Sequence, residues 1–99
     1  MAEPIYKFFT CRSLQDWYQL SKEEQDSLLA KLTEALEKIG AKRLILCNTN
    51  WSSDQWLYAG VEEFPNIEAV QKYMAVLQGL NWSRYFESTS VLGTKLESS

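Results

Sequence analysis

The sequence predicts an α+β domain with the element order β-α-β-β-α-β, and three observations carry that reading. Four segments have the alternating or doubly apolar, β-branched and aromatic pattern of strands. Two longer segments place apolar residues at helical spacing behind capping residues, and they fall between the strands in that order. Ninety-nine residues, 45% apolar and 23% charged, suit one such globule and not two, so residues 1–99 are read as a single domain.

Ile5 to Cys11 (IYKFFTC) is apolar on both alternating faces, as expected of a central strand. Arg12 to Leu20 places Leu14, Trp17 and Leu20 at helical spacing behind Ser13, which predicts a short helical turn tucking Trp17 inward. Ser21 and Glu24 form a capping box, in which hydroxyl and carboxylate each satisfy an orphan backbone donor. The helix that starts there reaches Ile39, with Leu28, Leu32, Leu36 and Ile39 buried, Leu29 flanking, Glu34 paired to Lys38 outside, and Gly40 in the left-handed terminal position.

Lys42 to Trp51 and Gln55 to Phe64 read as two strands of a hairpin around a Ser-Ser turn. If opposed residue numbers sum to about 105, Leu44, Leu46 and Asn48 share the helix-facing side with Leu57, Ala59 and Val61. Cys47, Thr49 and Trp51 then share the other side with Trp56, Tyr58 and Glu62, unless a bulge scrambles the register. Pro65 and Asn66 stop the strand and cap a second helix, Ile67 to Leu80, with Val70, Tyr73, Met74 and Leu77 inward and Glu68 and Lys72 outside. After Asn81 an aromatic link (NWSRYF) leads to a last strand, Ser88 to Leu96, and a polar tail.

This order is the ferredoxin-like arrangement, in which two βαβ crossovers put both helices on one face of a four-stranded antiparallel sheet. The second face should then be polar, yet it is assigned Trp51, Trp56, Tyr58 and an aromatic from the first strand. An aromatic face of that size predicts a homodimer packed sheet to sheet about a two-fold axis, with Trp51, Trp56, Tyr58 and Glu62 in the interface.

Charge and composition exclude function classes. The chain contains no His, so Ser-His-Asp or Cys-His nucleophile activation and His-ligated zinc or haem are excluded from this chain alone. A net charge of −3, carried by Asp54, Glu62, Glu63 and Glu68 against Lys72 in residues 44–83, argues against nucleic acid or an anionic membrane as partner. The RNA-recognition motif shares the element order and displays strand aromatics, but here the third strand lacks the basic start and ends in acidic residues. Cys11 and Cys47 lie far apart with no C-x-x-C pattern, so they read as small hydrophobes, and no metal or cofactor is expected. The start Met-Ala-Glu-Pro has neither a basic nor a long apolar region, which makes a cytoplasmic protein the expectation.

Over its whole length the chain resembles the dimeric α+β-barrel superfamily. The segments WYQLSKEE (Trp17 to Glu24) and WSRYFE (Trp82 to Glu87), the latter leading to a strand with Gly93, are similar to those of darcynin-type proteins. The superfamily includes cofactor-independent antibiotic-biosynthesis monooxygenases, haem-degrading monooxygenases and muconolactone-isomerase-like proteins. The resemblance implies a sheet-to-sheet dimer, and the His-dependent activities do not carry over to a chain without His.

Candidate site residues each have two readings. Asn48, placed on the aliphatic lane, either bonds nearby backbone or orients a ligand between sheet and helices. Trp56 and Tyr58 either form interface core or one wall of an aromatic pocket. Trp17, Trp82 and Tyr85 either plug the helix-to-strand corner or line a cavity there. Arg12 and Arg84 either pair with neighbouring acids or hold a carboxylate, and Glu62 is either an ion-pair partner or a desolvated general base. Together Asn48, Trp56, Tyr58, Trp82 and Arg84 define a site for a small hydrophobic or aromatic molecule. A cofactor-independent monooxygenase or isomerase, or alternatively a non-catalytic binding or interaction module, fits that pattern.

Overall fold

The computed structural model describes residues 3–97; Met1, Ala2, Ser98 and Ser99, the extreme start and the end of the polar tail, lie outside the described residues. The chain runs β1 (Ile5–Ser13), α1 (Gln15–Tyr18), α2 (Lys22–Lys38), β2 (Lys42–Asn48), β3 (Tyr58–Phe64), α3 (Ile67–Gly79), α4 (Trp82–Tyr85) and β4 (Phe86–Gly93). The strands form one antiparallel sheet in the order β2-β3-β1-β4, which is the ferredoxin-like topology. No helix among the described residues is long and apolar enough to cross a membrane.

Local chemistry sets the helix ends. The Ser21 hydroxyl accepts from Glu24 N at 3.1 Å while Glu24 Oε1 accepts from Ser21 N at 3.0 Å, closing the capping box at the start of α2. Gly40 ends that helix at φ +76°, a conformation that costs a glycine little. At α3 the Asn66 side chain accepts from Ala69 N at 2.8 Å. Leu32, Ala35 and Leu36 of α2 meet Ala69, Val70 and Tyr73 of α3 over Phe64, and these residues with Ala41 are the buried core. That core fills one end of the space between helices and sheet.

The β2–β3 pairing departs from expectation in two ways. Residues 49–57 form a loop and not a two-strand turn, because short polar side chains capture the backbone there. Thr49 Oγ1 donates to Trp56 O at 2.8 Å, and Ser53 Oγ accepts from Trp56 N at 2.9 Å. Opposed residues sum to 105 only at Lys42 and Arg43, and to 106 from Ile45 to Asn48, the step being a one-residue bulge at Leu44.

The bulge sorts the faces. Leu46 and Asn48 lie opposite Gly60 and Tyr58, and Arg43 opposite Glu62, so these β3 residues point toward the helices with Phe64. Ala59 and Val61 lie on the outer face with Ile45 and Cys47. The assignment of Tyr58 and Glu62 to the outer, dimer-forming face is therefore corrected. Trp51 and Trp56 sit in the 49–57 loop and not on the sheet face; Trp51 is 83% exposed. The outer face is nonetheless apolar, with Phe8, Ile45 and Val91 about half or more exposed beside Cys47, Ala59 and Val61.

Gly60 lies opposite both Phe9 of β1 and Leu46 of β2. A Cβ there would stand 2.7 Å from the Phe9 ring and 2.7 Å from the Ile45 carbonyl oxygen, so backbone as well as side chain would have to move. Gly60→Ala is expected to destabilise the domain by about 1–3 kcal/mol, read as a lower urea midpoint with an unchanged slope.

Candidate functional site

The other end of the helix–sheet layer is open. There the helices draw away from the sheet and leave a cavity of about 320 Å³. Its sheet wall is the inward lane of β1 (Lys7, Phe9, Cys11) with Leu46 and Tyr58, and its helix wall is Leu29, Met74 and Leu77. Leu29, Leu46 and Met74 are each 40% exposed or more, apolar residues left uncovered because no helix closes this end. An aromatic group shuts the far corner. Trp82 stacks on Phe86 with centroids 4.4 Å apart, and Trp17, 9% exposed, lies 4.8 Å from Phe86.

Charged side chains occur only at the floor, where the cavity meets the packed core. Glu62 is 2% exposed, with Oε2 accepting from Arg43 Nη2 at 3.3 Å and Oε1 standing 3.9 Å from Lys7 Nζ. The carboxylate is thus buried between two cations, which is the condition under which a charge tolerates burial. Lys7, 9% exposed, also lies over the rings of Phe9 and Tyr73, at 5.8 and 5.4 Å. Burial pulls the Lys7 amine below its ordinary range, Glu62 opposing and Arg43 adding to the effect. Burial likewise pushes the Cys11 thiol and the Tyr73 hydroxyl upward, with nearby Arg43 opposing the shift in each, so both keep their protons at neutral pH. The floor can bind or orient a polar group, while the neutral Cys11 thiol is a poor nucleophile.

The site anticipated from sequence divides. Tyr58 and Trp82 line the cavity together with Trp17. Asn48, expected to be a buried amide, is exposed at the end of β2, where its Oδ1 accepts from Asn50 N at 2.9 Å, and it does not reach the cavity. Trp56 is held in the 49–57 loop, outside the lining. Arg84 pairs with Asp16 at 2.8 Å and Arg12 with Glu87 at 2.5 Å, both at the surface and away from this cavity.

Sequence reasoning missed Lys7 and Arg43, and it placed Glu62 on the wrong face. A signal existed: Lys7 interrupts the inward lane Ile5-Lys7-Phe9-Cys11 of an otherwise apolar strand, and a lysine there requires a buried acid across the sheet.

No protein-family model matches the chain, and no curated protein matches it. Its fold is that of known structures. Chlorite dismutase from Candidatus Nitrospira defluvii superposes with a TM-score of 0.75 at 15% identity, over 99% of this chain and 42% of that one. A dimeric protein of unknown function and ferredoxin-like fold from Bacteroides fragilis superposes with a TM-score of 0.51 at 16% identity, over 93% and 96% of the two chains. This chain therefore spans about two fifths of chlorite dismutase and nearly all of the Bacteroides protein. Identities this low establish the ferredoxin-like fold and nothing finer.

Proposed function

We propose that the protein binds a small hydrophobic or aromatic molecule in the cavity between helices and sheet, as a member of the dimeric α+β-barrel group it resembles. The observation that carries this is the cavity itself: apolar walls, two tryptophans at one corner and charge confined to the floor, the usual make-up of a small-molecule site. Its volume suits one or two rings.

The four tryptophans supply the test, because Trp17 and Trp82 line the cavity whereas Trp51 and Trp56 do not. Titration with small phenols and quinols is expected to move the indole N–H resonances of Trp17 and Trp82 and leave Trp51 in place. Met74→Trp, which fills the cavity from a partly exposed helix position, should abolish the response. Shifts confined to Trp51, or binding that survives Met74→Trp, would overturn the reading. Oxygen uptake with the same compounds separates turnover from binding: uptake assigns a cofactor-independent monooxygenase, and its absence alongside binding leaves a binding module.

The same proposal includes a homodimer through the outer face, since Phe8, Ile45 and Val91 form an apolar surface that a second copy would cover. Light scattering at micromolar concentration should return about twice the 11.5 kDa chain mass, and Phe8→Glu should halve it. A monomeric wild type would refute this part.

A further inference from the structure

Resting on the cavity reading above, we propose that the bound molecule is an anion: a hydrophobic or aromatic carboxylate whose charged end is held by Arg43 and Lys7. Unbalanced charge and unused donors both mark the floor. Lys7, Arg43 and Glu62 are the charged groups lining the cavity among the described residues, and together they carry one net positive charge in a chain whose total is −3.

The other arginines bracketing this region are spent. Arg12 has Glu87 and Arg84 has Asp16, each a cation with its own carboxylate. Arg43 and Lys7 share a single acid, so the floor is one anion short of balance.

Donors point to the same vacancy. Lys7 Nζ stands 3.9 Å from Glu62 Oε1, too far for a hydrogen bond, so Glu62 leaves its three N–H groups unused. Arg43 gives one N–H to Glu62, which leaves further donors of its five on a side chain that keeps about a third of its surface exposed. Glu62 is a positioning residue here. It holds the guanidinium at the floor by one edge and leaves the rest to the ligand.

A carboxylate entering along the apolar walls meets these cations where water is scarce, and charge-assisted bonds there are stronger than neutral ones. A neutral molecule of the same shape satisfies the walls but not the floor.

Calorimetric titration of the wild-type protein with phenylbutyrate and with its uncharged amide, phenylbutyramide, tests this. The carboxylate is expected to bind about tenfold or more tightly than the amide, a preference of the size charge-assisted bonds confer. Arg43→Gln should remove most of that preference while changing amide affinity less than about twofold, and Arg43→Lys should restore part of it. Retained amide binding also shows that the variant is folded. Lys7→Met provides the second, independent loss. Equal affinity for both probes overturns the anion proposal and leaves the cavity reading standing, as does a preference that survives both Arg43→Gln and Lys7→Met. Failure of both probes to bind at millimolar concentration counts against the cavity reading and takes this inference with it.

Discussion

Phe64→Ala is expected to lower the unfolding free energy by about 3–5 kcal/mol, the range for removing a buried phenylalanine side chain. Phe64 is the largest side chain with no exposure, and it lies where three elements converge. It is the last residue of β3, pairs with Ile5 of β1, faces the Tyr73 ring of α3 at 5.6 Å, and joins the cluster formed by Leu32 and Leu36 of α2. The gap left by truncation could not close easily, because Pro65 and the Asn66 cap fix the chain immediately after it. For a domain stabilised by roughly 5–15 kcal/mol this is a large fraction. Urea denaturation should show the loss as a shifted midpoint with little change in slope. Trp51→Ala, at an 83% exposed position, should shift it little. A loss below about 1 kcal/mol at Phe64 would mean that this cluster is not what holds helices to sheet.

What the sequence revealed and what it concealed follow a physical division. The capping box at Ser21 and Glu24, the Asn66 cap and the left-handed Gly40 were legible because each depends on residues within one turn of it. Element order and the ferredoxin-like sheet follow from those local signals together with the hydrophobic periods. The bulge at Leu44 left no local mark, since Leu44 opens the apolar run Leu44 to Cys47 with no Gly or Pro to flag an irregularity, and one extra residue suffices to exchange faces.

The candidate site divided for related reasons. Aromaticity singled out Tyr58 and Trp82, but the expected register put Tyr58 on the outer face; Asn48 keeps its helix-facing side yet is exposed because β2 ends there, and Trp56 lies in the 49–57 loop, outside the ladder. The Lys7–Glu62–Arg43 group joins β1, β3 and β2, and no window of sequence contains all three. A charged residue on an apolar lane was the trace it left.

That group also explains why the cavity stays open at one end. Phe64 and Glu62 are successive inward residues of β3, so the dry core gives way to charge within one step along the strand. Helices could not close over Leu46 and Tyr58 without sealing Arg43 from water, and its single shared carboxylate would not compensate a full burial. The cavity is thus the boundary of a core that ends where its polar floor begins.

Glu62→Gln isolates that floor, and its expected effect is a loss of stability near the lower end of the roughly 3–5 kcal/mol for orphaning a buried ion-pair partner. The lower end applies because Arg43 is about one third exposed and keeps part of its hydration, so most of the cost falls on Lys7. The pH dependence gives the mechanism a signature. The folded-state pKa of Lys7 lies below its ordinary 10.5, so the stability linked to this group is present above 10.5 and is lost as pH falls through the folded value. Glu62 opposes that depression, so removing its charge lowers the Lys7 value further and extends the window toward neutrality. The deficit of Glu62→Gln relative to wild type is therefore largest near neutral pH and shrinks as pH rises toward 10.5. The raised Cys11 and Tyr73 values erode stability at high pH, and because Glu62 contributes to raising both, they erode it less in Glu62→Gln, which narrows the deficit further on the alkaline side. Adding Lys7→Met to Glu62→Gln should recover most of the loss at neutral pH, because the orphaned ammonium is gone. A deficit that stays constant from neutral to alkaline pH and persists in the double variant would mean that Glu62 acts through packing alone.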